Sequence, residues 1–340
     1  MSLRRLPIYL LLDCSESMAG EAIDSVRRGV AALTAELRGD PQALETACLS
    51  VITFSRTARQ DVPLTELLAF NPPKLTVRPG TALGAALRLL GDCIRREVVR
   101  TTPTVKGDYR PLVFLLTDGQ PTDDWEPAAD ELRRARPGIA NIYAVCCGPD
   151  ADPEVLRRIT DIVLMMPDLS DAAWRRFFLW MSASVSSASV RIGAAPPGEM
   201  LLPPPPADLL EKPPAARPPT MRDARPRQVF LHACCAGNRG PYLMRYVWRP
   251  YAGRYEAVAG HPLDEPPEAG DAAVLPPVNA RELDGVPACP YCGRSSAGLC
   301  GCGTLFCLDP SGERPTPCPK CGSAFAPSGN SDFEVRRSQG

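Results

Sequence analysis

From residue 7 to about residue 190 the chain alternates short, almost wholly apolar runs with stretches whose apolar residues recur at helical spacing. The runs occupy 8–12, 49–54, 112–116, 142–146 and 162–166. Strands without a polar face are what a parallel sheet covered on both sides requires. Between them Ala22, Val26, Val30, Leu33 and Leu37 form one helical stripe, Leu83, Leu87, Leu90 and Ile94 a second, and Trp174, Phe177, Phe178, Met181 and Val185 a third. The pattern predicts a doubly wound α/β domain with a mainly parallel sheet over residues 1–193.

The pattern breaks at residues 194–228, where Pro203, Pro204, Pro205, Pro206, Pro213, Pro214, Pro218 and Pro219 leave few apolar anchors. This composition predicts a stiff, extended linker; the alternative is an excursion docked on the first domain through Met200, Leu201, Leu202, Leu209 and Leu210. Residues 229–340 open with two aromatic-rich runs, 242–248 and 255–258, separated by the turn signals Pro250 and Gly253, and end in cysteines. With few large aliphatic residues after Pro287, this small β-rich domain is expected to depend on metal for its fold.

Charge narrows the partners. With 38 basic and 39 acidic residues the net charge is -1, so no global field favours nucleic acid or an anionic membrane. The apolar run 6–12 is far short of the ~20 residues of a bilayer span. Arg4 and Arg5 before it and Cys14 after it raise the question of a secretion signal, but Asp13 stands where a small residue must precede the cut. The expectation is a cytosolic protein whose 14 cysteines bind metal or pack as small hydrophobes and do not form a disulfide framework.

Three polar loops carry the chemistry of the first domain. The run 10–12 breaks into Asp13-Cys14-Ser15-Glu16-Ser17-Met18, a second loop reads Pro79-Gly80-Thr81-Ala82-Leu83-Gly84, and the run 112–116 ends in Thr117-Asp118-Gly119. Loops at the carboxyl ends of parallel strands converge on one edge, where open α/β sheets bind ligands. Asp13, Ser15, Ser17, Thr81 and Asp118 together offer hard oxygen donors only, a set that suits Mg²⁺, with Mn²⁺ able to substitute. Three neutral hydroxyls leave the ion under-neutralised, so a partner's Asp or Glu is the expected last ligand. Asp123, Asp124 and Glu126, beyond the site, are expected to cap and open the next helix.

These motifs, D-x-S-x-S-M, P-G-T-x-L-G and T-D-G at these spacings, resemble the von Willebrand factor A fold with its metal-ion-dependent adhesion site. The resemblance covers about the first 190 residues. It implies direct coordination by Ser15 and Ser17, coordination by Thr81 directly or through water, and by Asp13 and Asp118 mainly through water. It also implies a binding module and not an enzyme. The residues agree, because no histidine lies in the first 190 residues and no lysine neighbours the metal loops to serve a hydrolase.

Cys14, Cys48, Cys93, Cys146 and Cys147 fall in apolar runs or beside the metal loop and are expected to be buried. In the second domain Cys289-Pro290-Tyr291-Cys292-Gly293 and Cys318-Pro319-Lys320-Cys321-Gly322 are two knuckles of zinc-ribbon type, with Cys300, Cys302 and Cys307 between them. Two Zn²⁺ sites need an eighth ligand, expected from Cys234 or Cys235, with His232 beside them; the alternative is a single zinc with free thiols, and spacing leaves the pairing open. An A domain, a proline linker and a cysteine-rich carboxyl module resemble the TerY family of tellurite-resistance gene clusters. That resemblance implies a scaffold for a serine/threonine kinase and a PP2C-type phosphatase. The alternative is a nucleic-acid-associated accessory subunit, with Arg222, Arg225, Arg227, Arg239 and Arg245 as local charge and Tyr242, Tyr246 and Trp248 as stacking groups.

Overall fold

The computed structural model describes residues 4–104, 106–118, 120–134, 139–148, 153–191, 203–204, 226–266, 276–309, 311, 315–325 and 333–338. The predicted linker, with Arg222 and Arg225, falls almost wholly outside them. The chain folds into two units.

The first unit runs β1 (Leu6–Asp13), α1 (Glu21–Gly39), α2 (Pro41–Thr46), β2 (Ala47–Phe54), β3 (Ala58–Glu66), α3 (Leu83–Glu97), β4 (Leu112–Thr117), α4 (Glu126–Arg134), β5 (Asn141–Cys147), α5 (Pro153–Arg157), β6 (Val163–Met166) and α6 (Asp171–Arg191). Its sheet has the order β3-β2-β1-β4-β5-β6. All neighbours are parallel except β2 and β3. Every residue of β1 and β4 is buried, which is why these runs carry no polar alternation.

Each predicted stripe became a helix that buries that stripe: α1 through Ala22, Val26, Val30, Leu33 and Leu37, α3 through Leu83, Leu87, Leu90 and Ile94. Such residues contribute roughly 1.5–3 kcal/mol each when fully buried. Helices α1 and α6 meet closely because Gly29 lacks a side chain; a Cβ there would lie 1.9 Å from the Phe178 ring. Turn chemistry joins α1 to α2, where Asp40 accepts hydrogen bonds from the amides of Gln42 (2.9 Å) and Ala43 (3.3 Å) and Pro41 opens the helix.

Strand β3 is the strand of this sheet that the hydrophobic pattern does not mark. It is an antiparallel edge strand whose residues are all partly buried or exposed, so it needs no apolar run, and an edge position tolerates Pro63.

The second unit contains β7 (Gln228–Cys234), β8 (Pro241–Arg249), β9 (Arg254–Pro262), β10 (Val278–Asn279), β11 (Leu283–Asp284), β12 (Ala297–Leu299), β13 (Leu305–Cys307), β14 (Thr316–Pro317), β15 (Ala324–Phe325) and β16 (Glu334–Val335). The main sheet has the order β11-β9-β8-β7-β13-β12, and β10–β16 and β14–β15 form two small ribbons. The aromatic runs became β8 and β9, but their rings do not offer a stacking surface: Tyr242 is 0% and Tyr246 2% exposed, and Trp248 packs edge-on against Tyr255 at 5.0 Å. Together with Val229, Leu231 and Ala233 of β7, these tyrosines form the core of the unit.

Candidate metal centres

The order of the first sheet puts its topological switch between β1 and β4, because the chain leaves β1 to one side for β2 and β3 and crosses back through α3 to β4. Asp13 ends β1 and Asp118 follows β4, so both carboxylates stand at the crevice the switch opens. Asp13 is 1% exposed and held at both oxygens: the Ser15 amide donates to Oδ1 at 2.8 Å and the Thr117 hydroxyl to Oδ2 at 2.6 Å. Burial, and then the charge of Asp118, push the Asp13 carboxyl up to about 7. A buried carboxylate whose proton affinity a second carboxylate raises is suited to a cation.

The two serine hydroxyls of the loop after β1 lie side by side. Ser15 Oγ and Ser17 Oγ are 2.9 Å apart. Adjacent ligands of an octahedral ion at about 2.1 Å stand roughly 3.0 Å apart, so the serine pair fits one edge of a Mg²⁺ or Mn²⁺ shell. Thr81 is 0% exposed. Its loop is tied beside the β1 and β2 ends, since the Ala82 amide donates to Ser55 O at 2.5 Å and the Cys14 amide to Phe54 O at 2.8 Å.

A second layer, not foreseen from the sequence, locks the Thr81 loop to the segment after Asp118. Thr81 and Thr122 exchange hydrogen bonds: the Thr81 amide donates to Thr122 Oγ1 and the Thr122 amide to Thr81 O, both at 2.9 Å. Asp123 then accepts from the amides of Gly84 (3.0 Å) and Ala85 (2.9 Å). The expected role of Asp123 as cap of the following helix is therefore corrected: it caps α3, which has no capping side chain of its own at Ala82, and Glu126 alone opens α4. The backbone approaches so closely that a Cβ on Gly84 would sit 2.6 Å from Trp125 Cα. The final glycine of P-G-T-x-L-G was the available signal.

The cysteines divide cleanly. Cys14, Cys48, Cys93, Cys146 and Cys147 are buried in the first unit. Cys147 lies near Asp13 and Asp118, whose charges add to burial in pushing its thiol well above the ordinary range. In the second unit two sets of four sulfurs gather, Cys235, Cys289, Cys292 and Cys307 in one and Cys300, Cys302, Cys318 and Cys321 in the other, each within 4.8 Å of one another. Cys292 and Cys307 are 3.6 Å apart, Cys300 and Cys321 3.6 Å, and Cys302 and Cys318 3.7 Å. A tetrahedral thiolate site with bonds of about 2.3 Å has edges near 3.8 Å, so both sets fit a zinc-sized ion.

The two knuckles thus serve different sets, each completed by other cysteines. Of the candidates for the eighth position, the structure brings in Cys235; Cys234 and His232 are in neither set. Period-two alternation is the reason: Val229, Leu231, Ala233 and Cys235 point into the core, while His232 and Cys234 take the other face of β7. Cys234 Sγ instead lies 3.3 Å from Arg239 O.

Four turns of one design present the sulfurs. The amides of Cys289, Cys318, Cys235 and Cys300 donate to the carbonyls of Arg294, Ser323, Gly240 and Thr304, and those of Gly293, Gly322, Arg239 and Gly303 return to the four cysteine carbonyls, all at 2.8–2.9 Å. The returning residue has positive φ in every turn, glycine in three and Arg239 (φ 61°) in the fourth. A non-glycine there carries a left-handed cost that glycine lacks. Arg239→Gly is therefore expected to raise the stability of the metal-loaded domain by about 0.5–1 kcal/mol, read as a higher midpoint in thermal unfolding; a lower midpoint rejects the strain.

The family model of the von Willebrand factor type A domain matches residues 8–165, and that of the TerY-C metal binding domain matches residues 226–340. No curated relative matches the chain. Among solved structures, proximal thread matrix protein 1 of the mussel byssus is similar at 16% identity and TM-score 0.39, covering 54% of this chain and 48% of that one. The pilus adhesin SpaC of Lactobacillus rhamnosus GG in its open conformation is similar at 16% identity and TM-score 0.44, covering 55% and 31%. The ArnB paralog VWA2 of Sulfolobus acidocaldarius follows at 16% and 0.39, covering 54% and 46%. The chain spans less than half the length of each of these three proteins.

Proposed function

Because the chain belongs to the proteins that join a von Willebrand factor type A domain to a TerY-C metal binding domain, we propose that it is a non-catalytic scaffold that grips an acidic residue of a protein partner through Mg²⁺ or Mn²⁺. The observation that carries this reading is Asp13, fixed by Ser15 and Thr117 at the switch point of the sheet, within electrostatic reach of Asp118 and beside the Ser15–Ser17 hydroxyl pair. Such an ion supplies a Lewis-acidic position that a partner carboxylate completes. The chain's own residues orient the donors and exclude bulk water from Asp13 and Thr81, both nearly inaccessible. The two tetrathiolates hold zinc and make the second domain a stable platform.

The partners fitting this role, by the TerY resemblance, are a serine/threonine kinase and a PP2C-type phosphatase of a tellurite-resistance or stress-type phosphorylation system in the cytosol. Among the described residues no helix is long and apolar enough to cross a membrane. Core burial of Tyr242 and Tyr246 removes two of the rings on which nucleic-acid association would rely.

Affinity capture with a candidate serine/threonine kinase and a candidate PP2C-type phosphatase tests the proposal. Asp118→Ala and Thr81→Ala are expected to weaken Mg²⁺-dependent capture at least about tenfold, or 1.4 kcal/mol, with thermal stability nearly unchanged. Capture that persists in EDTA and in both variants places the interface elsewhere, and recovery that nuclease abolishes points to nucleic acid.

A further inference from the structure

The two sulfur sets are not equivalent toward solvent. In the first, Cys235 (1% exposed), Cys289 (2%) and Cys307 (0%) are sealed in the core and only Cys292 is exposed. Its knuckle is tied down, since the Tyr291 hydroxyl donates to Pro241 O at 2.9 Å and its ring meets Tyr242 edge-on. In the second, Cys302 and Cys321 are both exposed, and Lys320, where the first knuckle has Tyr291, is exposed as well. Each exposed sulfur has a buried one as its near neighbour: Cys321 lies 3.6 Å from Cys300, and Cys302 lies 3.7 Å from Cys318. The hydrophobic support here is small, made of Phe306 and Leu308 with Phe325 and Ala236 at its edge.

We propose that the set Cys300, Cys302, Cys318 and Cys321 is an oxidation site that gives up its metal to peroxides by forming the disulfides Cys300–Cys321 and Cys302–Cys318, while the other set keeps its metal. An exposed thiolate, Cys321 or Cys302, attacks one oxygen of the peroxide. The O–O bond breaks, the cysteine becomes a sulfenic acid, and hydroxide or alkoxide leaves. The neighbouring thiolate, Cys300 or Cys318, then attacks that sulfur, the S–O bond breaks, hydroxide leaves and the S–S bond forms. Each disulfide takes two electrons from two thiolates and reduces one peroxide. Two such steps convert all four sulfurs, so no thiolate remains to hold the ion. In the other set a single exposed sulfur permits at most the Cys292–Cys307 bond, and two buried thiolates stay in place.

This inference rests on the reading that both sets hold zinc, and the experiment separates the two. The full-length protein is first analysed for zinc; fewer than two ions per chain defeats that reading before any oxidant is added. Loaded protein is then titrated with hydrogen peroxide in the presence of a zinc chromophore, and disulfides are mapped by mass spectrometry after alkylation. The expected result is release of one zinc per chain for about two equivalents of peroxide, roughly tenfold faster than any further release, with Cys300–Cys321 and Cys302–Cys318 as the products and reversal by dithiothreitol plus zinc. Release of both ions together, a Cys292–Cys307 bond formed first, or loss of metal with sulfinic acid in place of disulfide overturns it.

Discussion

Replacing Cys307 by serine is expected to unfold the second domain, whereas the same replacement at Cys321 is expected to remove one metal ion and leave β7, β8 and β9 folded. Cys307 is 0% exposed, ends β13 within the main sheet and shares its core with Val229, Leu231, Tyr242 and Tyr246. A serine there withdraws a ligand from the first set and leaves a buried hydroxyl among apolar groups. Structural zinc contributes on the order of 10–16 kcal/mol to small metal-dependent folds, and most of that is the folding energy of the domain. Cys321 is exposed on a turn next to the two-residue strands β14 and β15, outside the main sheet. Far-ultraviolet circular dichroism and zinc analysis of both variants check this. Equal loss of structure in the two, or no loss in Cys307→Ser, shows that the sets do not have the ranked roles their positions give them.

The second large effect is expected from Gly84→Ala. The added methyl would lie 2.6 Å from Trp125 Cα and 2.7 Å from Asp124 O, both backbone atoms that cannot swing aside. Overpacking of this kind costs about 1–3 kcal/mol. The strain falls on the segment that holds Asp123 against the start of α3 and Thr122 against Thr81, so Thr81, the threonine donor of the proposed adhesion site, should shift with it. Lower thermal stability together with weaker Mg²⁺-dependent partner capture is the expected pair. A variant that loses stability and captures normally separates the packing from the site. As a comparison, Asp123→Ala removes the two amide contacts and the 3.9 Å ion pair with Arg88, and should cost about 1 kcal/mol.

What the sequence made legible follows from which signals are local. Fully buried strands are written as apolar runs, so β1, β2, β4, β5 and β6 could be placed by pattern, and with them the loops bearing Asp13, Thr81 and Asp118. Strand β3 could not, because an edge strand with one solvent-facing side has no such run. The reach of Asp123 back to α3 was hidden for a different reason: a capping residue usually precedes its own helix, and this one lies 39 and 38 residues after the amides it binds. In the second domain the knuckles declared a metal fold, but their partners depended on which face of β7 turned inward. The alternation of Val229, Leu231 and Ala233 carried that information for Cys235 against Cys234, once β7 was known to be a strand.

The sulfur sets are interleaved along the chain: Cys235, Cys289 and Cys292 belong to the first, Cys300 and Cys302 to the second, Cys307 again to the first, and Cys318 and Cys321 to the second. During synthesis, the three earliest thiolates of the first set are therefore joined by Cys300 and Cys302 before their native fourth member leaves the ribosome. A metal captured at that moment by all the thiolates then available would start in a mixed site. Reaching the final arrangement from there would require ligand exchange, because Cys307 lies on β13, which pairs parallel to β7 and packs in the core. Loading an ion early would thus make maturation depend on thiolate turnover, and an excess of free zinc that fills every cysteine pair separately would slow it.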